Sequence, residues 1–462
     1  MKEKITGLHK CLTVPQIIAL GFFCFVFAGG LILMLPICSA DGTYTNFVDT
    51  LFTATSAVCV TGLVTIPTYS HWSLLGKIVI MVLIQLGGLG FMTCFTSVLI
   101  LLGKRITLKE RMIIQDSLNE SRLQGLVKLV IRIIKGTFLV EGIGAFLYCF
   151  EFVPAYGLIK GIGVSIFTAV SAFCNAGFDV IGDYSLMPFN TGFFVNYVTM
   201  ALIITGGIGF TVWWDLFRVV RLQKENRLGF KMNIRKLTLH SKIALSITLF
   251  LIFGGALCFF LLEYRNQATM GQMNLYEKIT ASLFQSVTTR TAGFFSIPQD
   301  KMSLSSQLLT VVLMFIGGSP AGTAGGIKTV TFGVIMLSIV SVIKGKENTE
   351  IYRRTIPANT VRKSLAIMMI SLFTVIMGTM FLSITESSSS LMNVLFEVAS
   401  AMATVGLTIG VTPTLTVPGK LLIIFLMYMG RIGVLTMALV FGLKRRKTNN
   451  SIKLPEENIM VG

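Results

Sequence analysis

Four stretches of this sequence share a pattern that could hold a cation through the peptide backbone. They run from Phe52 to Gly62, Phe167 to Gly177, Phe284 to Gly293 and Phe396 to Gly406. Each starts on an aromatic, passes through small and hydroxyl residues, and closes on a glycine followed by a large apolar residue: Leu63, Phe178, Phe294 or Leu407. The glycines recur at intervals of 115, 116 and 113 residues, and so steady a period marks a repeat architecture. Carbonyls of an extended loop turn toward one axis only if a residue takes a conformation open mainly to glycine. The candidate ion-binding residues are therefore Thr61 and Gly62, Ala176 and Gly177, Ala292 and Gly293, and Val405 and Gly406, with the carbonyls of the four glycines as ligands. Such oxygens can replace the hydration shell of a dehydrating cation, and the carboxyl end of a short preceding helix adds partial negative charge. None of the loops carries a carboxylate at its glycine, so selection would come from dipoles. Close helix packing explains one small residue in a membrane segment; it does not explain four copies at a fixed interval.

A second glycine pattern follows each of these stretches. It reads Gly87-Gly88-Leu89-Gly90-Phe91, then Gly206-Gly207-Ile208-Gly209-Phe210, and in the fourth copy Gly430-Arg431-Ile432-Gly433. The third copy is longer, with Gly317, Gly318, Ser319, Pro320, Gly322, Thr323, Gly325 and Gly326 leading into Ile327 and Lys328. Glycine and proline at that density cannot continue a helix, so the long run 304–343 should break into two helical pieces around an irregular loop that acts as a gate. The segment from Gly322 to Thr329 nearly matches a phosphate-binding loop, but Ile327 stands where the second glycine is required and no strand precedes it. Arg431 replaces Gly88 in this alignment, near the middle of an apolar run. An arginine at that depth faces a water cavity or pairs with a partner; it could speed ion release, hold ions back, or anchor the gate loop by its carbonyls. Lys328 is a candidate for securing the end of that loop, and Arg290 for bracing the third glycine loop from behind.

The elements that must position these residues are membrane spans. The chain is 53% hydrophobic and only 13% charged, with a mean hydropathy of +0.78, whereas soluble domains carry about 25% charge. Eight apolar runs, near 14–36, 73–102, 127–150, 191–220, 243–262, 304–343, 361–383 and 418–443, reach the roughly 20 residues a crossing needs. The expectation is an all-α membrane protein of four pseudo-repeats, each a helix, a re-entrant pore loop and a helix, around a central pore. The repeats divide as 1–103, 104–222, 223–345 with its broken second helix, and 346–443, followed by a tail at 444–462. Five stretches on one side of that path hold 30 of the 39 Lys and Arg residues, which places both termini inside by the positive-inside rule. That placement accounts for the net charge of +18 without nucleic acid. The basic, amphipathic stretch 107–126 could lie on the lipid bilayer or on a partner. The eight cysteines form no CxxC pair, and His9, His71 and His240 lie far apart. The chain therefore shows neither a metal framework nor a nucleophile and base, and no enzyme or resident cofactor is expected.

With these features the chain resembles the Trk/Ktr/HKT superfamily of potassium transporters, and its length and motifs are most similar to the KtrB-type membrane subunit. The resemblance covers nearly the whole chain. It implies potassium (K+) uptake into a bacterial cell across the plasma membrane, stimulated by sodium (Na+), by a homodimer in which each subunit has its own pore. It also implies a cytoplasmic ring of nucleotide-binding regulatory subunits of the RCK/KTN type. In plant relatives a serine at the first filter position goes with sodium permeation; here that position is Gly62. The third repeat departs from the pattern, because its aromatic and glycine are nine residues apart and those of the other three are ten. Residue-for-residue superposition of that loop is therefore in doubt. The alternative reading is a Na+-coupled solute transporter or one for another monovalent cation. Such transporters usually carry inverted repeats, whereas these four copies run in one direction.

Overall fold

A computed structural model describes residues 13–90, 93, 94, 96, 126–182, 185–226 and 236–441. The chain passes through four helix groups in succession. The first holds α1 (Val14–Leu33), α2 (Phe47–Cys59) and α3 (Leu74–Leu89). The second holds α4 (Leu126–Tyr156), α5 (Leu158–Cys174), α6 (Phe193–Gly207) and α7 (Phe210–Asn226). The third holds α8 (Leu239–Glu263), α9 (Leu275–Thr288), α10 (Leu304–Phe315) and α11 (Thr329–Ile343). The fourth holds α12 (Ala358–Thr385), α13 (Leu391–Ala403), α14 (Val417–Ile432) and α15 (Val434–Phe441). The strands among the described residues are those of a small hairpin, β1 (Glu350–Ile351) against β2 (Arg354–Thr355).

Among the described residues, α1, α8 and α12 are each long and apolar enough to cross a bilayer, and the bent pairs α6/α7 and α14/α15 qualify when each is counted as one span. These helices turn large apolar side chains outward: Phe23 and Phe27 on α1, Phe250 and Phe253 on α8, Phe373 and Met380 on α12. In water such a surface would be an association site; here it is the face toward lipid. The short helices α2, α5, α9 and α13, of 13 to 17 residues, lie inside, and the aromatic that opens each motif (Phe52, Phe167, Phe284, Phe396) is buried. Polar caps start three of them. Asn46 accepts from Val48 N–H, Ser390 accepts from Asn393 N–H, and Asn274 forms a reciprocal box with Glu277.

The sequence leads one to expect a single broken helix, in the third repeat. The structure breaks the second and fourth as well. The run 191–220 bends by 96° and the run 418–443 by 101°, at Gly209 (φ 92) and Gly433 (φ 97). A positive φ ends helical hydrogen bonding wherever it falls, and glycine takes it at little cost. Gly90, φ 82, ends α3 in the same way.

Three carboxylates fasten outer helices to the inner helices that follow the glycine loops. Glu151 accepts from Phe194 N–H at 2.8 Å and Val195 N–H at 3.1 Å, Glu263 from Ser303 N–H at 2.9 Å, and Glu386 from Thr416 N–H at 2.8 Å. Each thus satisfies orphan donors at the positive end of a helix. The stretches 1–12, 107–125 and 442–462, which include the basic amino terminus, most of the amphipathic segment and the tail, lie outside the described residues.

Candidate functional site

The four loops converge. Two residues before each glycine the backbone is left-handed, at Val60, Asn175, Thr291 and Thr404 with φ between 52 and 68. The next residue (Thr61, Ala176, Ala292 or Val405) is fully buried. The glycine follows with positive φ again: 95 at Gly62, 66 at Gly177, 79 at Gly293 and 92 at Gly406. A Cβ at Gly177 would stand 2.7 Å from Ala292 O, and one at Gly293 2.5 Å from Val405 O. At Gly62 it would meet Ala176 O, and at Gly406 it would meet Thr61 O, closer still. Each glycine faces the carbonyl before the glycine of the next loop, and the fourth returns to the first. Segments more than a hundred residues apart in sequence thus form one closed ring, and no side chain larger than hydrogen fits at its four corners.

Hydroxyls behind the ring hold its backbone. Ser56 accepts from Gly62 N–H at 3.0 Å and Ser400 from Gly406 N–H at 3.1 Å. Ser171 donates to Phe178 O at 2.6 Å and Thr288 to Phe294 O at 2.5 Å. All four stand four residues after the motif's aromatic, a repetition present in the sequence and overlooked in reading it. They also place the irregularity of the third loop. The helix-end bond is Thr61 N–H to Ser56 O, Ala176 N–H to Ser171 O and Val405 N–H to Ser400 O, but Ala292 N–H to Thr288 O. The missing residue therefore falls in the cap turn, and Thr291, Ala292 and Gly293 repeat the conformations of the other loops. Glu397, buried behind the fourth loop, accepts from Thr408, from Thr412 Oγ1 at 2.7 Å and from Val411 N–H at 3.3 Å, which ties down that loop's exit.

The segment between α10 and α11 is irregular, as its glycines and Pro320 require, and it packs against the carboxyl ends of the short helices. Gly317 N–H donates to Ile327 O at 2.9 Å and Thr329 N–H to Gly318 O at 2.9 Å, which closes the loop on itself. Lys328 Nζ donates to Ala324 O at 2.7 Å. Ser319 N–H reaches Gly207 O at 2.8 Å and Thr323 N–H reaches Gly206 O at 3.2 Å, in the second repeat. Thr323 Oγ1 donates to Phe173 O at 3.1 Å, at the end of α5. Gly317 lies against Thr291, and Gly325 and Gly326 lie against Thr404 and Ala403. A Cβ at Gly322 would crowd the backbone of Gly206 and Gly209.

Arg431 crosses this region. Its guanidinium donates to Thr323 O in the irregular loop, to Gly87 O, and to Gly88 O at 3.2 Å. Of the three roles open to it from sequence, the geometry displays the anchoring of the loop through carbonyls. Arg290 points away from the ring and donates to Thr248 O at 3.1 Å and Thr248 Oγ1 at 3.3 Å on α8, while its own carbonyl accepts from Asn175 Nδ2 at 3.3 Å. The structure thus brings together a ring of peptide oxygens, an irregular loop packed against the helix ends beneath it, and a guanidinium that joins this loop to the end of α3.

Comparison with known proteins agrees with this architecture. Residues 24–452 match the family described as TrkH: Cation transport protein. The potassium/sodium uptake protein NtpJ of Enterococcus hirae is 42% identical, over all of this chain and 99% of that protein. The Ktr system potassium uptake protein B of Bacillus subtilis is also 42% identical, over 100% of this chain and 99% of that protein. The same-named protein of Vibrio alginolyticus is 37% identical over 97% of this chain and 95% of its own length. The crystal structure of the potassium transporter TrkH from Vibrio parahaemolyticus superposes with a TM-score of 0.74 at 17% identity, covering 94% of this chain and 86% of that one, and so shows the shared fold. A multi-pass, all-α membrane protein with four converging glycine loops, and a transporter in place of an enzyme, this chain belongs to the TrkH cation transport protein family.

Proposed function

We propose that this chain is the ion-translocating subunit of a potassium uptake system, passing K+ through the ring formed at Gly62, Gly177, Gly293 and Gly406. The observation that carries the reading is the closure of that ring from four non-adjacent segments. Its peptide oxygens would take the place of water around a monovalent ion, with the carboxyl ends of α2, α5, α9 and α13 behind them. The loop from Gly317 to Lys328 is the gate, and Arg431 latches it. The four units are the repeats bounded at residues 103, 222, 345 and 443. A membrane potential of 100 mV contributes about 2.3 kcal/mol per charge, enough to draw K+ inward without an energising site.

In the same reading the protein works in the bacterial plasma membrane with both termini in the cytoplasm, as a homodimer on a nucleotide-binding RCK/KTN-type ring, with Na+ as activator. The name of the Ktr relatives, a system with lettered members, supports partner subunits. A second reading, in which the ring passes sodium as well as potassium, is favoured by the name of the Enterococcus relative.

Rubidium and sodium flux into liposomes holding the purified chain tests both readings. We expect rubidium to enter faster than sodium, and Gly62→Ser to lower that preference by about tenfold, the effect of displacing one ligand of the ring by about 1.4 kcal/mol. Equal selectivity of Gly62→Ser and the parent chain would remove the ring from the mechanism.

A further inference from the structure

A second site lies outside the ring, in a crevice of about 440 Å³ between α3, α4 and α5. Val82, Phe138 and Ile166 line it and are 48%, 59% and 43% exposed, so its mouth opens on the apolar outer surface. Gln85 and Glu141 are the polar side chains that line it. Glu141 is 4% exposed. It accepts from Gln85 Nε2 at 3.2 Å and lies 3.9 Å from Cys174 Sγ.

Comparison with other carboxyls that are withdrawn from solvent sets Glu141 apart. Glu151, Glu263, Glu386 and Glu397 each accept backbone N–H groups. Asp49 pairs with Lys420, and Asp215 with Arg218. Glu141 has neither a backbone donor nor a basic partner among the described residues. An ionisable group at membrane depth is costly unless something complements it. The remaining direction of approach is the crevice itself, whose walls suit a hydrocarbon chain and whose volume is that of a small-molecule site.

We propose that this crevice binds a hydrophobic ammonium compound, its chain lying along Val82, Phe138 and Ile166 and its N–H groups donating to the Glu141 carboxyl. The site adjoins the ring structure without belonging to it. Cys174, the last residue of α5, donates to Gln85 Oε1 at 3.5 Å, so an amphiphile in the crevice would stand directly behind the second glycine loop.

The test uses the full chain in phosphatidylcholine liposomes and the apolar reagent dicyclohexylcarbodiimide. A Glu141 oxygen bonds to the central carbon while the carboxyl proton passes to one nitrogen, and an acyl shift to nitrogen leaves a stable acylurea with nothing released. Peptide mass spectrometry is expected to find the adduct on Glu141. Dodecylamine should reduce its formation by about tenfold or more, the factor one charge-assisted hydrogen bond supplies. Dodecanol, with the same chain and no charge, should not. Val82→Trp, which fills the mouth and leaves the carboxyl in place, should abolish labelling, as should Glu141→Gln. Absence of the adduct in the parent chain would overturn the proposal by showing the crevice closed in the bilayer, whether by lipid or by a second copy. Equal protection by dodecanol would overturn the assignment to ammonium compounds.

Discussion

Val60, Asn175, Thr291 and Thr404 show what the ring demands of single residues. A left-handed backbone at a residue other than glycine costs on the order of 1–3 kcal/mol, and the chain bears that cost in all four loops. The glycines two positions later were legible in the sequence because they repeat; of these residues only Asn175 is a type that takes the conformation readily, whereas valine and threonine disfavour it. Arg431 was legible as a charge out of place, but its partners were not, because backbone carbonyls leave no trace in a sequence. Those partners now give a prediction. Arg431→Gln removes charged bonds to Thr323 O, Gly87 O and Gly88 O, each worth roughly 1.5–3 kcal/mol. On the proposed gating role, resting rubidium flux through the chain in liposomes should rise about tenfold or more; unchanged or lower flux would assign Arg431 to another task.

At the scale of the element, the break between Gly317 and Gly326 could be read because proline and glycine cluster there. The bends at Gly209 and Gly433 could not, since two or three glycines without a proline also suit a continuous, closely packed span. The carboxylates that end the outer helices were missed for a similar reason: a glutamate at the edge of an apolar run reads as the start of a solvated loop. Glu263 receives Ser303 N–H and Oγ, at 2.9 and 2.7 Å, and Thr269 Oγ1 at 2.5 Å. Replacing it by glutamine keeps the size and removes the charge at the start of α10. We expect Glu263→Gln to destabilise the folded protein by about 1–3 kcal/mol, seen as a lower midpoint of thermal unfolding in detergent. An unaltered midpoint would mean that solvent already supplies what the carboxylate gives.

For the molecule as a whole, the basic residues propose an orientation and the period of the glycines proposes four units. How the first unit meets the fourth was hidden, because contacts across a closed ring lie between residues most remote in sequence. The ion pair of Asp49 with Lys420, 2.6 Å long, and the reach of Arg431 to Gly87 both join those two units. Sidedness can be checked directly. A single cysteine at Asp41, in the loop before α2, should react from outside intact cells with a membrane-impermeant maleimide, and one at Lys346 only after the cells are opened. The reverse pattern would invert the assigned topology.

Among the described residues the irregular segment occurs once, between α10 and α11, although the kind of short helix that precedes it occurs four times. A channel assembled from four identical subunits must reconcile four copies of any moving part, and its opening is a concerted event with partially opened states along the way. In the proposed reading one polypeptide encloses the conduit and a single bolt bars it. On the gating reading, passage through each protomer is therefore an all-or-none unimolecular switch, and cooperativity can arise only between protomers.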